Sequence, residues 1–366
     1  MKSRSITAIG ALTALLAITA VTPVAASNAH AGTVYTLSNA ASGNAVIAYA
    51  RARDGSLTPL GTYPTGGLGS GAGLGSQGAV TLSADGRLLV AVDPGSDEIT
   101  SFRVHGDGTL AVADRVASGG DHPISVAIDH GIVYAVNDGS GGDIAGFRIG
   151  WFGGLTAIRG SIQPLSSASS APAEIAFGSE GRTLVVTEKA TNRITTYQVG
   201  RDGRAGAPTW TASAGQTPFG FDVDRRGHLI VSEAAGGAAG ASTVSSYRVD
   251  RTGAHVLDGP VATTETAACW VVVTDDGRFA YVANTGSGTV SGFAIDRRGD
   301  LHLLDGDGVT GVAGGAPADE ALSGDNAFLY VRTGGSLHTF RVRWDGSLVD
   351  LGNTDIQPGI VGLAAD

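Results

Sequence analysis

The sequence predicts an all-β, seven-bladed β-propeller with four-stranded antiparallel blades and a last blade closed by both termini. Three observations carry this. Gly55, Gly108, Gly154, Gly203, Gly253, Gly299 and Gly346 each close a β-rich run, and neighbouring marks lie 46 to 53 residues apart. A near-constant period of this length is one supersecondary unit repeated, and strand patterns without helix patterns make that unit a propeller blade. The 57 glycines and 6% aromatic content suit many tight turns rather than helices.

The chain has 366 residues, which by length alone implies two or three domains. The repeat overrides that estimate, because it runs unbroken from residue 32 to the C-terminus. Residues 1–31 read differently. Lys2 and Arg4 precede an uncharged apolar run over 6–21, and Ala29-His30-Ala31 has the small-x-small form of a cleavage site. This is the pattern of a secretory signal peptide, too short for a membrane span, so the expected product is a secreted 32–366 propeller. The net charge is −10, and the two basic residues of the leader leave 22 basic against 34 acidic ones. Such a surface argues against nucleic acid and membrane partners. A small-molecule ligand or substrate is the expected partner. A monomer is the expected state, since a propeller closes its own core. Cys269 is the one cysteine; within Ala-Ala-Cys-Trp-Val-Val-Val it reads as a buried hydrophobe without a disulfide.

Within a blade each element has its own signal. Residues 270–274 are continuously apolar, as for a strand buried on both faces; Asp275-Asp276-Gly277 turns the chain; 278–284 returns; Thr285-Gly286-Ser287-Gly288 makes a hairpin; 289–296 alternates; and 301–304 forms the outer strand. Inner strands are expected to start near Gly78, Pro123, Pro172, Pro218, Cys269 and Pro317. The last inner strand, 359–364, ends the chain, and its second and third strands, 33–37 and 44–51, lie at the other end. Pairing these two ends protects otherwise open strand edges.

Meander geometry brings the ends of second strands and the starts of inner strands to one rim of the central channel. Second-strand ends give the column Ser38, Asp93, Asn137, Glu188, Glu233, Asn284 and Thr333. Inner-strand starts add Gln77, His122, Glu174, Phe219, Trp270 and Asp319, with Arg332 as the nearest cation. Asn at such positions caps the following hairpin, whereas Glu caps turns poorly. Glu188 and Glu233 are therefore candidate catalytic carboxylates, with His122 as a candidate base. Asp93, Asn137, Glu174, Trp270, Asn284 and Arg332 are candidate substrate-binding residues. The acidic rim also has the composition of a divalent-cation site, although no ligand set or cofactor is assigned. Gly73-Leu74-Gly75-Ser76-Gln77-Gly78 matches a dinucleotide fingerprint but leads into a strand instead of a helix, which rejects it.

Several phrases recur along the chain: Ser83-Ala84-Asp85-Gly86-Arg87 with Asp93-Pro94-Gly95-Ser96-Asp97, Leu184-Val185-Val186-Thr187-Glu188, and Tyr281-Val282-Ala283-Asn284 with Ser287-Gly288-Thr289-Val290. Together they resemble the seven-bladed propeller lactonase family, which includes bacterial 6-phosphogluconolactonase and fungal carboxy-muconate cyclase. The resemblance covers nearly all of 33–366. It implies a rim site with Asp93 and Glu188 at the positions of a family Asp and Glu. The family's Pro-His-His and Pro-Arg-His stretches are replaced here by Gln77-Gly78-Ala79 and Pro172-Ala173-Glu174. An anionic sugar phosphate needs cationic donors, and this rim has few. Two functions follow: hydrolysis of a lactone or related ester, with Glu188 activating water; or a non-catalytic extracellular propeller that binds a ligand or protein.

Overall fold

The computed structural model describes residues 30–178 and 181–366; the expected signal peptide therefore lies almost wholly outside the described residues. The described chain forms seven antiparallel sheets and a single short 3-10 turn, Ala235–Gly237. Blades 1 to 6 open with inner strands Val80–Leu82, Pro123–Asp129, Pro172–Phe177, Pro218–Val223, Ala268–Val273 and Glu320–Leu322. In the seventh sheet the order runs from Leu57–Pro64 through Ala45–Ala52 and His30–Leu37 to Val361–Ala365. The last of these pairs antiparallel to its neighbour, with Val34 opposite Ala365 and Thr36 opposite Leu363. In blades 2 and 5 the fourth strand is split, with Gln163–Pro164 and Gly311–Val312 as separate pieces on the third strand.

Six of the glycines that mark the repeat sit at positive φ in the turn between third and fourth strands. In blade 2 the marker is Gly153 (φ +85°), one residue before the expected Gly154. Two constraints select glycine there. The left-handed backbone disfavours a side chain. The turn also packs on the preceding blade: a Cβ on Gly346 would lie 2.5 Å from the Phe279 ring. Tyrosines from second strands fasten the same turns across the blade boundary. The hydroxyls of Tyr35, Tyr134, Tyr281 and Tyr330 donate to the carbonyls of Gly108, Gly203, Gly346 and Gly55 at 2.8–3.2 Å. The repeat seen in the sequence is thus the contact between neighbouring blades. Apolar side chains such as Val90, Val136, Val186, Val231 and Val282, all fully buried, fill the space between sheets.

Candidate active site

The inner strand of every blade leaves an unpaired edge toward the channel, and its free N–H groups need acceptors. Side chains of adjacent blades supply them. Ser125 Oγ accepts from Ile175 N (3.2 Å), Glu174 Oε2 from Phe221 N (2.7 Å), and Asp222 Oδ2 from Val273 N (2.8 Å). Glu174 is therefore a channel residue below the rim, a structural acceptor instead of the expected substrate ligand. Asp319 and Glu320 share the channel, both buried. Asp319 Oδ2 and both oxygens of Glu320 make no hydrogen bond. Burial pushes the Asp222 carboxyl up to about 6 and that of Asp319 up to about 7, with Arg332 opposing the latter. Burial also holds Glu174 and Glu320 well above the usual range, and the neighbouring carboxylates add to this. Arg332, expected at the rim, is half-buried behind it and donates to Ala318 O at 2.7 Å.

The expected column of second-strand ends faces away from the mouth. Glu188 is fully buried. Its Oε1 accepts from Ser166 N (2.9 Å) and Thr195 Oγ1 (2.7 Å), and its Oε2 from Thr191 Oγ1 (2.8 Å) and Ser166 Oγ. Glu233, equally buried, takes bonds from Ser213, Gly215, Tyr247, Thr243 and Ser245. Asp93 accepts from Asn44, Thr65 and Thr100, and burial raises its carboxyl above the ordinary value. Asn137 donates to Asp143 at 2.7 Å, and Asn284 to Thr289 and Ser291. The two asparagines pin the hairpin of their own blade, whereas Asp93, Glu188 and Glu233 also fasten the loop that arrives from the previous blade. In Glu188 and Glu233 every carboxylate oxygen is engaged, which leaves none free to take a proton from water.

The mouth is built by the next residue along. Side chains alternate along a strand, so one step reverses the face. Asp138, Lys189 and Thr285 follow Asn137, Glu188 and Asn284, and their N–H groups pair with the carbonyls of His122, Ala171 and Ala267 at 3.0, 3.1 and 2.9 Å. Lys189 Nζ donates to Gly75 O (2.6 Å) and Pro172 O (2.9 Å) and sits 4.7 Å from the Phe219 ring centre. Phe219 leans on Trp270 at 5.1 Å. Trp270, expected as a ligand contact, forms a mostly buried wall of the mouth. Burial lowers the Lys189 ammonium, while Asp138 and the Cys269 thiol beneath it act in the opposite sense. Partial burial raises the Asp138 carboxyl, and Lys189 and His122 both act against that rise. Burial pushes the Cys269 thiol up to about 11, far from a nucleophile.

His122 is thus the one expected catalytic residue that the fold brings to the mouth, and it stands with Asp138 and Lys189, which sequence reasoning missed. One signal pointed to Lys189: it is the only lysine beyond residue 2, in a chain that otherwise uses arginine for its cations. Among the described residues no group of three or more His, Cys, Asp and Glu could hold a metal ion. Clefts of about 620 and 1470 Å³ open on the opposite face and hold none of these residues.

A family model described as "Lactonase, 7-bladed beta-propeller" matches residues 44–154 and 156–253, more than half of the chain. No curated protein matches the sequence. Solved structures share the fold. The periplasmic gluconolactonase of Pseudomonas aeruginosa is 17% identical, with a TM-score of 0.74 over 91% of this chain and 98% of that one. A candidate 6-phosphogluconolactonase from Bacteroides fragilis is 17% identical, at 0.71 over 93% and 99%. A protein from Lactobacillus plantarum is 20% identical, at 0.69 over 92% and 99%.

Proposed function

The chain belongs to the seven-bladed β-propeller lactonase family, and on that premise we propose that it hydrolyses a lactone at the channel mouth. The observation that carries this reading is that Asp138 feels the charges of both His122 and Lys189, with Lys189 lying over the Phe219 ring of the Phe219–Trp270 wall. His122 takes a proton from water as hydroxide adds to the lactone carbonyl carbon. Asp138 favours the imidazolium that forms. Lys189, with two of its three N–H bonds committed to backbone carbonyls, offers the third to the oxyanion. Collapse breaks the ring C–O bond, and the imidazolium protonates the departing alkoxide, giving a hydroxy acid. The aromatic wall suits the apolar face of a single ring. With one partly committed cation at an acidic mouth, the substrate is a neutral lactone of the gluconolactone type rather than a phosphorylated one. The leader pattern supports export, and a monomer acting on a small molecule is the matching state.

The test is a hydrolysis screen of neutral and phosphorylated lactones with purified 32–366. Turnover of neutral lactones, lost in His122→Ala and in Lys189→Met, is expected. Absence of turnover from cooperatively melting protein would move the assignment to a ligand-binding propeller.

A further inference from the structure

Residues 65–78 run from the outer strand of blade 7 to the inner strand of blade 1, and seven of them are glycine. The first half lies on the rim, with Gly69 N and Gly71 N donating to Ala40 O and Asn39 O at 2.9 Å. The second half leaves its own blades and crosses the channel axis. Ser76 Oγ donates to Ile124 O in blade 2 (2.8 Å), and Gln77 N to Ala173 O in blade 3 (3.0 Å). Lys189 holds Gly75 O, and Trp270 Nε1 in blade 5 donates to Ser76 O at 3.4 Å. The Gln77 side chain then locks onto blade 5 in both directions: Nε2 donates to Val271 O (2.7 Å) and Oε1 accepts from Val271 N (3.1 Å). Opposite it, Gly220 has no room for a Cβ, which would overlap the Gln77 amide and approach Cys269 O. The channel is thus barred beneath Lys189 and Trp270, and the sequence departs from the family's Pro-His-His stretch at this bar.

We propose that this strap, through Gln77, determines substrate specificity: it closes the shaft and leaves a shallow cup that takes one lactone ring with short substituents. The proposal rests on the lactone reading of the mouth, and two readouts separate them. Cys269 is the only cysteine, is 6% exposed, and precedes Trp270 under the strap, so its reaction with dithiobis-nitrobenzoate reports opening from the mouth. Gln77→Met keeps the volume and removes both bonds to Val271. Losing two such bonds should speed thiol modification by on the order of tenfold in protein that still melts cooperatively. The preference of kcat/KM for γ-butyrolactone over γ-dodecalactone should fall by a similar factor. Gln77→Asn, one methylene shorter, serves if the methionine variant does not fold. A thiol no faster in the variant overturns the closure. A faster thiol with unchanged chain-length preference overturns the specificity role. If the wild type hydrolyses no lactone, the functional reading fails, while the thiol rates still decide whether Gln77 bars the channel.

Discussion

Glu188 and Lys189 are chain neighbours with opposite duties. Glu188 points into its blade and spends four acceptor positions on Ser166, Thr191 and Thr195; Lys189 points to the mouth. Glu188→Gln keeps the shape but turns one acceptor into a donor facing hydroxyls. It should lower stability by about 1–3 kcal/mol and leave the turnover of folded protein intact, whereas Lys189→Met should remove turnover and still fold. Thermal unfolding beside initial rates separates the two, and a native-like melting temperature with lost activity in Glu188→Gln would return that residue to the catalytic role. The glycine marks invite a second test. Gly346 has φ +86° and faces the Phe279 ring, so Gly346→Ala should cost about 2–4 kcal/mol by denaturant midpoint. A midpoint shift within error would mean the turn relaxes freely.

At the scale of the strand, the blades show how side-chain alternation sorts structural from functional residues. The apolar runs and hairpin turns were legible, and the second-strand ends were placed at the correct rim. The face was misassigned, because a column of polar residues looks the same whether it caps its own blade or lines the mouth. Burial and hydrogen-bond saturation, which depend on the loop arriving from the previous blade, decide between them. The inner strand offers its own test. Glu174 accepts from Phe221 N across the blade boundary. Glu174→Leu should cost about 1–3 kcal/mol by leaving a buried N–H unpaired, and Glu174→Gln, which keeps an acceptor, should cost far less. Equal urea midpoints for the two would show that the edge amide finds another partner.

For the whole molecule, ring closure and pH dependence are linked through the channel. Deleting 360–366 removes the strand that pairs with His30–Leu37 and exposes that strand's edge. Aggregation or loss of cooperative melting is expected, and an unchanged melting temperature would contradict it. The channel carboxyls set the pH response. Asp222 and Asp319 have folded values near 6 and 7, above the usual carboxyl value near 3.8. Folding therefore favours their protonated forms. That stability is complete below about pH 4, falls as pH rises, and is gone above about pH 7. Exposed turn carboxylates such as Asp54, Asp107 and Asp296 are held low by local hydrogen bonds and act oppositely, losing their contribution as pH falls below 4. The melting temperature should peak near pH 5 and decline toward pH 8, and Asp319→Asn should flatten that decline. A melting temperature still rising at pH 8 would refute it.

The amino-acid sequence by itself determined the blade count, the strand order and the family, because period, turn glycines and apolar runs are local signals repeated seven times. It also placed the rim, since a meander fixes which strand ends share a face. Tertiary structure alone decided which side chains reach the mouth. Glu188 and Glu233 became fasteners when hydroxyls from a neighbouring loop filled their oxygens. Lys189 of blade 3 met Asp138 and His122 of blade 2, and Gln77 found its partner at Val271, 194 residues away. Those pairings join residues far apart in the chain, and no periodicity or composition encodes them; they exist only once the ring has closed.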